Sequence, residues 1–314
     1  MVTKDTWING IRSGLETTWK LGKIVFPITL IVSLLQHTSM IDLIVSVFSP
    51  IMGWFGLPGD AAIVLTLGNL LNIYAAIGAM LTMDLTVKQV FILSIMLSFS
   101  HNLIIETAVV SQIGVKGWIM ASIRIALAFI SAIVIHWVWP GGQELAQYGM
   151  IPSQPEELSG WGEILLHGLQ TSLWGILQIT AIVIPIMIAI QVLKDLKTLP
   201  YLAKMLTPFT RLIGVSEKTA YTLMAGLIFG LFLGAGVIIQ AAKEENLSKK
   251  DLYLISIFLV ACHAVIEDTL IFIPLGINVL PLFLIRLLTA IFITALIASI
   301  WRKREKQMPS QLSA

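Results

Sequence analysis

The sequence contains one unit twice along most of its length. Residues of types that rarely replace one another recur in the same order, separated by 154 positions near the start and by 162 positions near the end. The first set is Trp7, Pro27, Gly68, His101 and Arg124, and the second is Trp161, Pro185, Gly226, His263 and Arg286. Such a duplication predicts two repeats with one fold, 1–139 and 161–301, separated by a linker at 140–160 and followed by a basic tail at 302–314.

The composition indicates a bilayer as the solvent. Of the 314 residues, 57% are hydrophobic and 12% are charged, and the mean hydropathy is +0.89. A soluble domain has about 25% charged residues. The stretches 61–83 and 219–242 contain no formally charged residue, and about 20 apolar residues suffice for a helix to cross a membrane. The chain is therefore predicted to be an all-α polytopic membrane protein.

Charge indicates that the two repeats have opposite orientations. Four basic residues precede the first apolar stretch of repeat one, whereas the linker that precedes repeat two carries acids and no Lys or Arg. The segment 37–60 has no Lys or Arg, but the corresponding region of repeat two, 194–218, has five. Under the positive-inside rule, these differences predict an inverted repeat with both termini in the cytoplasm and an extracytoplasmic linker.

Inverted repeats require an odd number of crossings in each copy. We therefore expect three transmembrane helices per repeat, with a re-entrant hairpin around the histidine and one interfacial helix. The hairpin would occupy 87–114, with Lys88 on the cytoplasmic side, and the interfacial helices would be 39–55 and 199–213. Irregular backbone at membrane depth is tolerated only where it is buried in protein or lines a cavity.

A histidine–acid motif lies inside both apolar stretches. Ionisable groups are costly in hydrocarbon, so their duplication predicts a binding site for a solute or ion. A polar network that only holds the helices together is the alternative. The candidate binding residues are His101, Asn102, Glu106 and Thr107 in repeat one and His263, Glu267, Asp268 and Thr269 in repeat two. Aligned on the histidines, Glu106 matches Asp268, and Glu267 is an additional acid.

Two further pairs of residues are candidates. Arg124 and Arg286 could form ion pairs with Glu106 and Asp268 that gate the site, or could extend towards the membrane surface. Asn69 and Asn72 share a helix face, and Leu227 and Gly230 replace them in repeat two. This asymmetry suits a substrate site, although hydrogen bonds between helices would explain it as well.

Several kinds of function have no sequence signal. There is no nucleotide-binding loop and no nucleophile elbow, so neither an enzymatic activity nor a cofactor is expected. The basic residues lie near the ends of apolar segments, which indicates membrane topology and not a nucleic-acid interface. A histidine with several acids could bind a divalent cation, but the His-x4-acid spacing is not diagnostic, so the identity of any metal is unknown.

The repeated unit resembles the Gate (nucleoside recognition) domain family. The helices containing Pro27 and Gly68, the His101 motif and the following Gly114, together with their counterparts in repeat two, carry the resemblance. It covers nearly the whole chain as two tandem Gate units. Related proteins are the concentrative nucleoside transporters, the membrane part of FeoB-type iron transporters, and the spore maturation proteins SpmA and SpmB. The resemblance implies paired hairpins and a transport-like core.

The expected function is that of a permease in the bacterial cytoplasmic (inner) membrane. It would move a small polar solute or ion, nucleoside-like or cationic, through a site between two inverted hairpins. A non-transporting membrane scaffold in envelope or spore maturation and a divalent metal ion transporter are the alternatives. The expected partners are the lipid bilayer and the solute, with a homo-oligomer as a possible assembly.

Overall fold

The computed structural model describes residues 2–149 and 160–307, and its regular elements there are helices. The middle of the predicted linker and the end of the basic tail lie outside the described residues. The α-helices are α1 (Lys4–Leu35), α2 (Ser39–Met52), α3 (Ala61–Leu70), α4 (Ile73–Met80), α5 (Val87–Ser100), α6 (Leu103–Gln112), α7 (Gly117–Val138), α8 (Trp161–Asp195), α9 (Leu199–Ile213), α10 (Ala220–Leu233), α11 (Ala235–Glu244), α12 (Lys249–Ala261), α13 (Glu267–Leu270) and α14 (Val279–Gln307).

The chain is a multi-pass membrane protein, as predicted. Within the described residues, five helical stretches are long and apolar enough to cross a bilayer. They are Lys4–Leu35, Val87–Gln112, Gly117–Val138, Trp161–Asp195 and Val279–Glu305. Their exposed surfaces carry many large apolar side chains, such as Trp137, Leu173 and Phe292, which suits lipid as the surrounding solvent.

The helices form two compact units, and neither unit corresponds to one repeat. The first unit contains described residues of 1–104, 125–196 and 266–282. The second contains 105–124, 197–265 and the described residues from 283 onward. Each unit therefore combines one repeat's histidine with the acidic segment that follows the histidine of the other repeat. The sequence boundaries at 139 and 161 mark the duplication, and packing joins the repeats across them.

In the first unit, α1 and α8 pack along their length with opposite directions. A methyl group at Gly10 would lie 2.9 Å from Cα of Ile188, and one at Gly14 would lie 3.0 Å from Cα of Ile184. Near the other end of α1, Leu30 approaches Gly168 of α8. Glycines let helix backbones approach closely. Because α1 and α8 are equivalent helices of the two repeats, their antiparallel packing is the arrangement that an inverted repeat requires.

The first unit contains a fold-back at a place that the sequence analysis did not predict. Gly68 of α3 and Ala76 of α4 are neighbours, since a methyl group at Gly68 would lie 3.0 Å from the Ala76 Cβ. Eight residues of continuous helix would span about 12 Å, so α3 and α4 form a hairpin. The turn lies at Leu71–Asn72, where Asn72 adopts an extended conformation and its Oδ1 accepts from Ala75 N–H. The uncharged stretch 61–83 is therefore not one continuous helix.

The start of α5 lies beside the linker. The N–H groups of Val87 and Lys88 donate to the carbonyls of Glu144 and Gly142, at 2.9 and 2.8 Å. The expectation that Lys88 and the linker occupy opposite sides of the membrane is therefore wrong. Since Val87–Gln112 is also long enough to cross, the structure favours a crossing there and a re-entrant segment at 61–80. Exchanging these two roles preserves an odd number of crossings in repeat one, whose described residues contain three helical stretches that are long enough to cross.

Replacing Gly10 by Ala tests the packing of α1 on α8. The new methyl group would lie 2.9 Å from backbone of Ile188, so the helices must separate, at a cost of about 1–3 kcal/mol. We expect a lower thermal unfolding temperature in detergent or nanodiscs. Gly162→Ala in α8 is the matched control, because nothing lies within 4 Å of its added methyl group. Equal unfolding temperatures for the two variants would contradict this packing.

Candidate functional site

Two interrupted helices meet in each unit, directly after the histidine that both repeats contain. In the first unit, Asn102 follows His101 with φ +54° and donates its N–H to the Gly68 carbonyl at 2.8 Å. In the second unit, Ala264 follows His263 with φ +42° and donates its N–H to the Gly226 carbonyl at 3.1 Å. Each of these hydrogen bonds connects the helix break after a histidine to a second helix. That second helix is itself interrupted one turn after the glycine that accepts the bond.

The second interruption occupies the same repeat position in both units. Asn72 ends the α3–α4 turn, and the equivalent Gly230 interrupts α10 with φ +73° and ψ 178°. A side chain at Gly230 would be strained by this φ, and its Cβ would lie 2.9 Å from the Ala264 Cβ. Asn72 and Gly230 differ in residue type because the two helix breaks are stabilised differently. The side chain of Asn72 caps the helix after the first break, whereas the backbone conformation of the second break requires a glycine.

Both histidines are fixed by their own helices. His101 Nδ1 lies 2.7 Å from the carbonyl oxygen of Leu97, and His263 Nδ1 lies 2.7 Å from that of Leu259. A carbonyl oxygen only accepts, so Nδ1 carries the hydrogen in each imidazole. The Nε2 atoms therefore face the acidic groups of their own units.

In the first unit, the neighbours of His101 are acids from repeat two. His101 Nε2 lies 3.9 Å from Asp268 Oδ2, and both side chains are buried. The adjacent Glu267 accepts a hydrogen bond from the Tyr74 hydroxyl at 2.5 Å. This first cluster, comprising His101, Asp268, Glu267 and Tyr74, brings imidazole, phenol and two carboxyl groups together. Such groups can bind a cation or the N–H and O–H groups of a polar solute.

In the second unit, His263 neighbours an acid from repeat one. Glu106 Oε2 lies 3.3 Å from His263 Nε2 and 2.8 Å from Arg124 Nη2. Arg286 Nη2 donates to the His263 carbonyl at 2.9 Å. The second cluster, comprising His263, Glu106, Arg124 and Arg286, differs from the first in containing two guanidinium groups. Both arginine side chains are fully buried.

These contacts decide part of what the sequence left open. The Glu106–Arg124 ion pair is present, and neither Arg124 nor Arg286 extends to the surface. The pairing of Asp268 with Arg286 stays a prediction. The exchange of acids between the repeats was not foreseen, because each acid lies five residues from its own histidine along the chain. Tyr74 was missed for a related reason, since its partner Glu267 is 193 positions away.

The remaining candidates have local or incomplete roles. Asn69 donates from Nδ2 to the Leu65 carbonyl, and Asn72 caps α4, so both stabilise the hairpin. Asn102 contributes its backbone N–H to the helix break. The hydroxyl oxygens of Thr107 and Thr269 are buried without a hydrogen-bond partner among the described residues. These two hydroxyl groups, one in each unit, could bind a solute.

Comparison with known proteins agrees with this architecture. Residues 18–116 and 176–278 each match the Gate family, described as nucleoside recognition. The chain is also 51% identical over 300 residues to the uncharacterized membrane protein YvoD of Bacillus subtilis (strain 168), covering 96% of both chains. No solved structure matches. This chain belongs to the Gate (nucleoside recognition) family of membrane proteins, with two tandem copies of the unit.

Replacing Glu106 by Gln tests the buried ion pair. Removing one partner leaves Arg124 uncompensated, which costs about 3–5 kcal/mol for a buried pair, so the unfolding temperature should fall strongly. Glu16→Gln is the matched control, because it breaks an Arg12–Glu16 pair whose side chains are 77% and 57% exposed. Exposed pairs contribute little. A double variant, Glu106→Gln with Arg124→Gln, should recover part of the loss.

Proposed function

We propose that this Gate-family chain is a permease for a small polar solute or ion, with nucleosides and cations as the first candidates. The observation that carries the proposal is the duplicated histidine–acid pair, buried beside a helix break in both units. Burying ionisable groups in a membrane protein is expensive, and such groups usually mark a pathway for a solute or a proton. In this proposal the protein is a carrier and not an enzyme.

The interrupted helices support the same proposal. Secondary transporters bind substrates at discontinuous helices, whose free backbone groups can contact a solute. Here the breaks at Asn102 and Ala264 each use one N–H to join a neighbouring helix. The breaks therefore hold polar backbone in a stable position, and side chains at the same point supply hydrogen-bonding groups.

Within this proposal, the first cluster binds the solute. Glu267 has no counterpart in repeat one, and its hydrogen bond to Tyr74 places an additional carboxyl group near Asp268. Two acids with a phenol and an imidazole favour a cationic solute, or one that presents N–H and O–H donors. The second cluster holds an acid against arginine, which suits stabilisation of the helix break.

The second cluster also favours one alternative, a non-transporting scaffold. The Glu106–Arg124 pair and the Arg286 bond to the His263 carbonyl tie helix segments together. If the first cluster has the same role, the chain would be a rigid membrane component in envelope or spore maturation. Flux measurements distinguish the two functions, because a scaffold moves no solute.

We further propose the setting in which the permease works. The differences in basic charge between the repeats support a bacterial cytoplasmic membrane with both termini in the cytoplasm. The lipid bilayer and the solute are the proposed partners. A homo-oligomer would use the exposed apolar helix surfaces that lipid otherwise covers.

Proteoliposome flux tests the permease. Nucleosides, divalent metals and organic anions are first screened for thermal stabilisation, and labelled members of each class are then assayed for uptake. Losing a hydrogen bond to a charged group costs about 1.5–3 kcal/mol, so Asp268→Asn and His101→Ala, both in the first cluster, should each reduce uptake by roughly tenfold or more. Asp42→Asn and His37→Ala, at exposed positions, are the matched controls.

The outcomes separate the proposals. Uptake that is unchanged in both Asp268→Asn and His101→Ala would remove these residues from the mechanism. The scaffold is favoured if the wild-type chain moves no member of the panel although a cooperative thermal unfolding transition shows that the reconstituted protein is folded.

A further inference from the structure

The ends of three helices meet on one side of the second unit. Ser216, which follows α9, donates its N–H to Asp251 Oδ1 in the first turn of α12 at 2.9 Å. One residue earlier on α12, Lys250 Nζ lies 3.2 Å from Glu305 Oε2 near the end of α14. The end of α9, the start of α12 and the end of α14 therefore form one continuous surface.

The exposed side chains of this surface are mainly basic. Three of its acids are already engaged, since Glu217 accepts from Arg211, Glu305 from Lys250, and Asp251 from backbone N–H groups. The exposed basic residues are Lys204, Arg211 and Lys218 from α9 and the segment after it, Lys249 from α12, and Arg302, Lys303 and Arg304 from α14. Apart from Arg211, none of them forms an ion pair with an acid in the described part of the chain. An excess of positive charge therefore remains, and we call this region the basic surface.

Aromatic side chains occupy the same end of the unit. The ring of Trp301, which precedes the three basic residues of α14, lies 6.0 Å from the ring of Tyr253 on α12, measured between centroids. The Tyr253 hydroxyl accepts from Lys116 N–H at 3.2 Å, just before α7, and Trp118 on α7 is exposed. Tryptophan and tyrosine are enriched at the level of lipid headgroups, so the basic surface has the composition of a membrane interface.

The exposed face of α9 has an apolar part and a basic part. Tyr201, Met205 and Leu212 are exposed, and at about 100° per residue they lie within about 40° of one another around the helix. Lys204 and Arg211 lie on one side of this apolar stripe. Such a helix inserts its apolar side chains among acyl chains, while Lys and Arg extend towards phosphate groups. The helix therefore contributes both kinds of contact that a headgroup site needs.

The equivalent helix of repeat one isolates the role of the positive charge. The exposed face of α2 is apolar as well and includes Met40, Leu43 and Val47. However, the segment 37–60 contains no Lys or Arg, and Asp42 is exposed there. Contact with lipid tails therefore explains the apolar residues of both helices, and the basic residues of α9 require a further, negatively charged partner.

We infer that the basic surface binds the phosphate groups of anionic phospholipids, independently of whether the chain moves a solute. Guanidinium and ammonium groups donate hydrogen bonds to phosphate oxygens. A basic residue close to an anionic membrane surface contributes about fivefold to binding. In the proposed orientation, the C-terminal end of α14 places this surface at the cytoplasmic leaflet, whose negative potential attracts basic segments.

Native mass spectrometry of the full chain in a neutral detergent tests this binding. Phosphatidylglycerol and phosphatidylcholine of equal chain length are titrated separately, since both contain a phosphate but only the first carries a net negative charge. We expect the wild type to bind phosphatidylglycerol roughly tenfold more tightly or better. The triple variant Lys204→Gln, Arg211→Gln, Lys218→Gln should lose roughly tenfold or more of its affinity for phosphatidylglycerol, because the two lysines each contribute about fivefold.

The matched control removes three exposed basic residues from α1. Lys4→Gln, Arg12→Gln and Lys20→Gln together delete the same charge, and Arg12, like Arg211, belongs to an exposed ion pair. This variant should bind phosphatidylglycerol as the wild type does. Thermal unfolding in the same detergent without added lipid shows whether both triple variants are folded. If the triple variant of the basic surface is unfolded, the single variant Lys204→Gln decides the question, with an expected loss of about fivefold.

Three outcomes would overturn the inference. The first is equal affinity of the wild type for the two lipids. The second is an equal loss of affinity in the two triple variants, because binding would then follow the net charge of the chain and not this surface. The third is displacement of the bound lipid by inorganic phosphate at the same concentration of phosphate groups, since the surface would then bind free anions without using the apolar stripe of α9.

Discussion

The structure depends on satisfying polar backbone groups where helices are interrupted inside an apolar protein. An unpaired N–H or carbonyl at membrane depth costs several kcal/mol. Asn102 and Ala264 avoid that cost by donating to the carbonyls of Gly68 and Gly226. A methyl group at either acceptor position would displace a leucine side chain, since it would lie 2.2 Å from Leu97 Cδ2 at Gly68 and 2.5 Å from Leu259 Cδ2 at Gly226.

These backbone bonds position the chemistry. Leu97 and Leu259 each make two contacts. Their side chains lie against Gly68 and Gly226, and their carbonyl oxygens accept a hydrogen bond from the Nδ1 of the following histidine. The glycine, the leucine and the histidine thus form one local arrangement that occurs twice. It orients Nε2 towards an acid, and it explains why the histidine lies one helical turn after the leucine in both repeats.

The two clusters nevertheless differ in the groups that surround the acids. The first pairs Glu267 with the Tyr74 hydroxyl, whereas the second places Glu106 beside Arg124. Gene duplication gives two equal copies, and substitution at a few positions then specialises them. Each described histidine–acid pair takes one member from each repeat, so a single repeat would not complete either pair.

The sequence by itself determined the class of protein, the duplication and most of the residues that carry charge into the apolar interior. These follow from composition and from residue identity, because hydropathy and an internal duplication can both be read directly from the order of the residues. The Glu106–Arg124 pair was also predictable, because both residues belong to one repeat. The sequence predicted a re-entrant hairpin with its tip near His101. The helix is interrupted there, since Asn102 has a positive φ, but the fold-back itself lies at Leu71–Asn72.

Tertiary structure decided where the chain folds back, which side of the first unit Lys88 occupies, and which acid faces which histidine. The fold-back lies at Leu71–Asn72 because Gly68 and Ala76 permit close packing of α3 on α4. The acids are exchanged because packing groups the histidine of one repeat with the segment after the histidine of the other. Contacts between residues more than 150 positions apart leave no periodic signal in a single sequence, so only the folded chain specifies them.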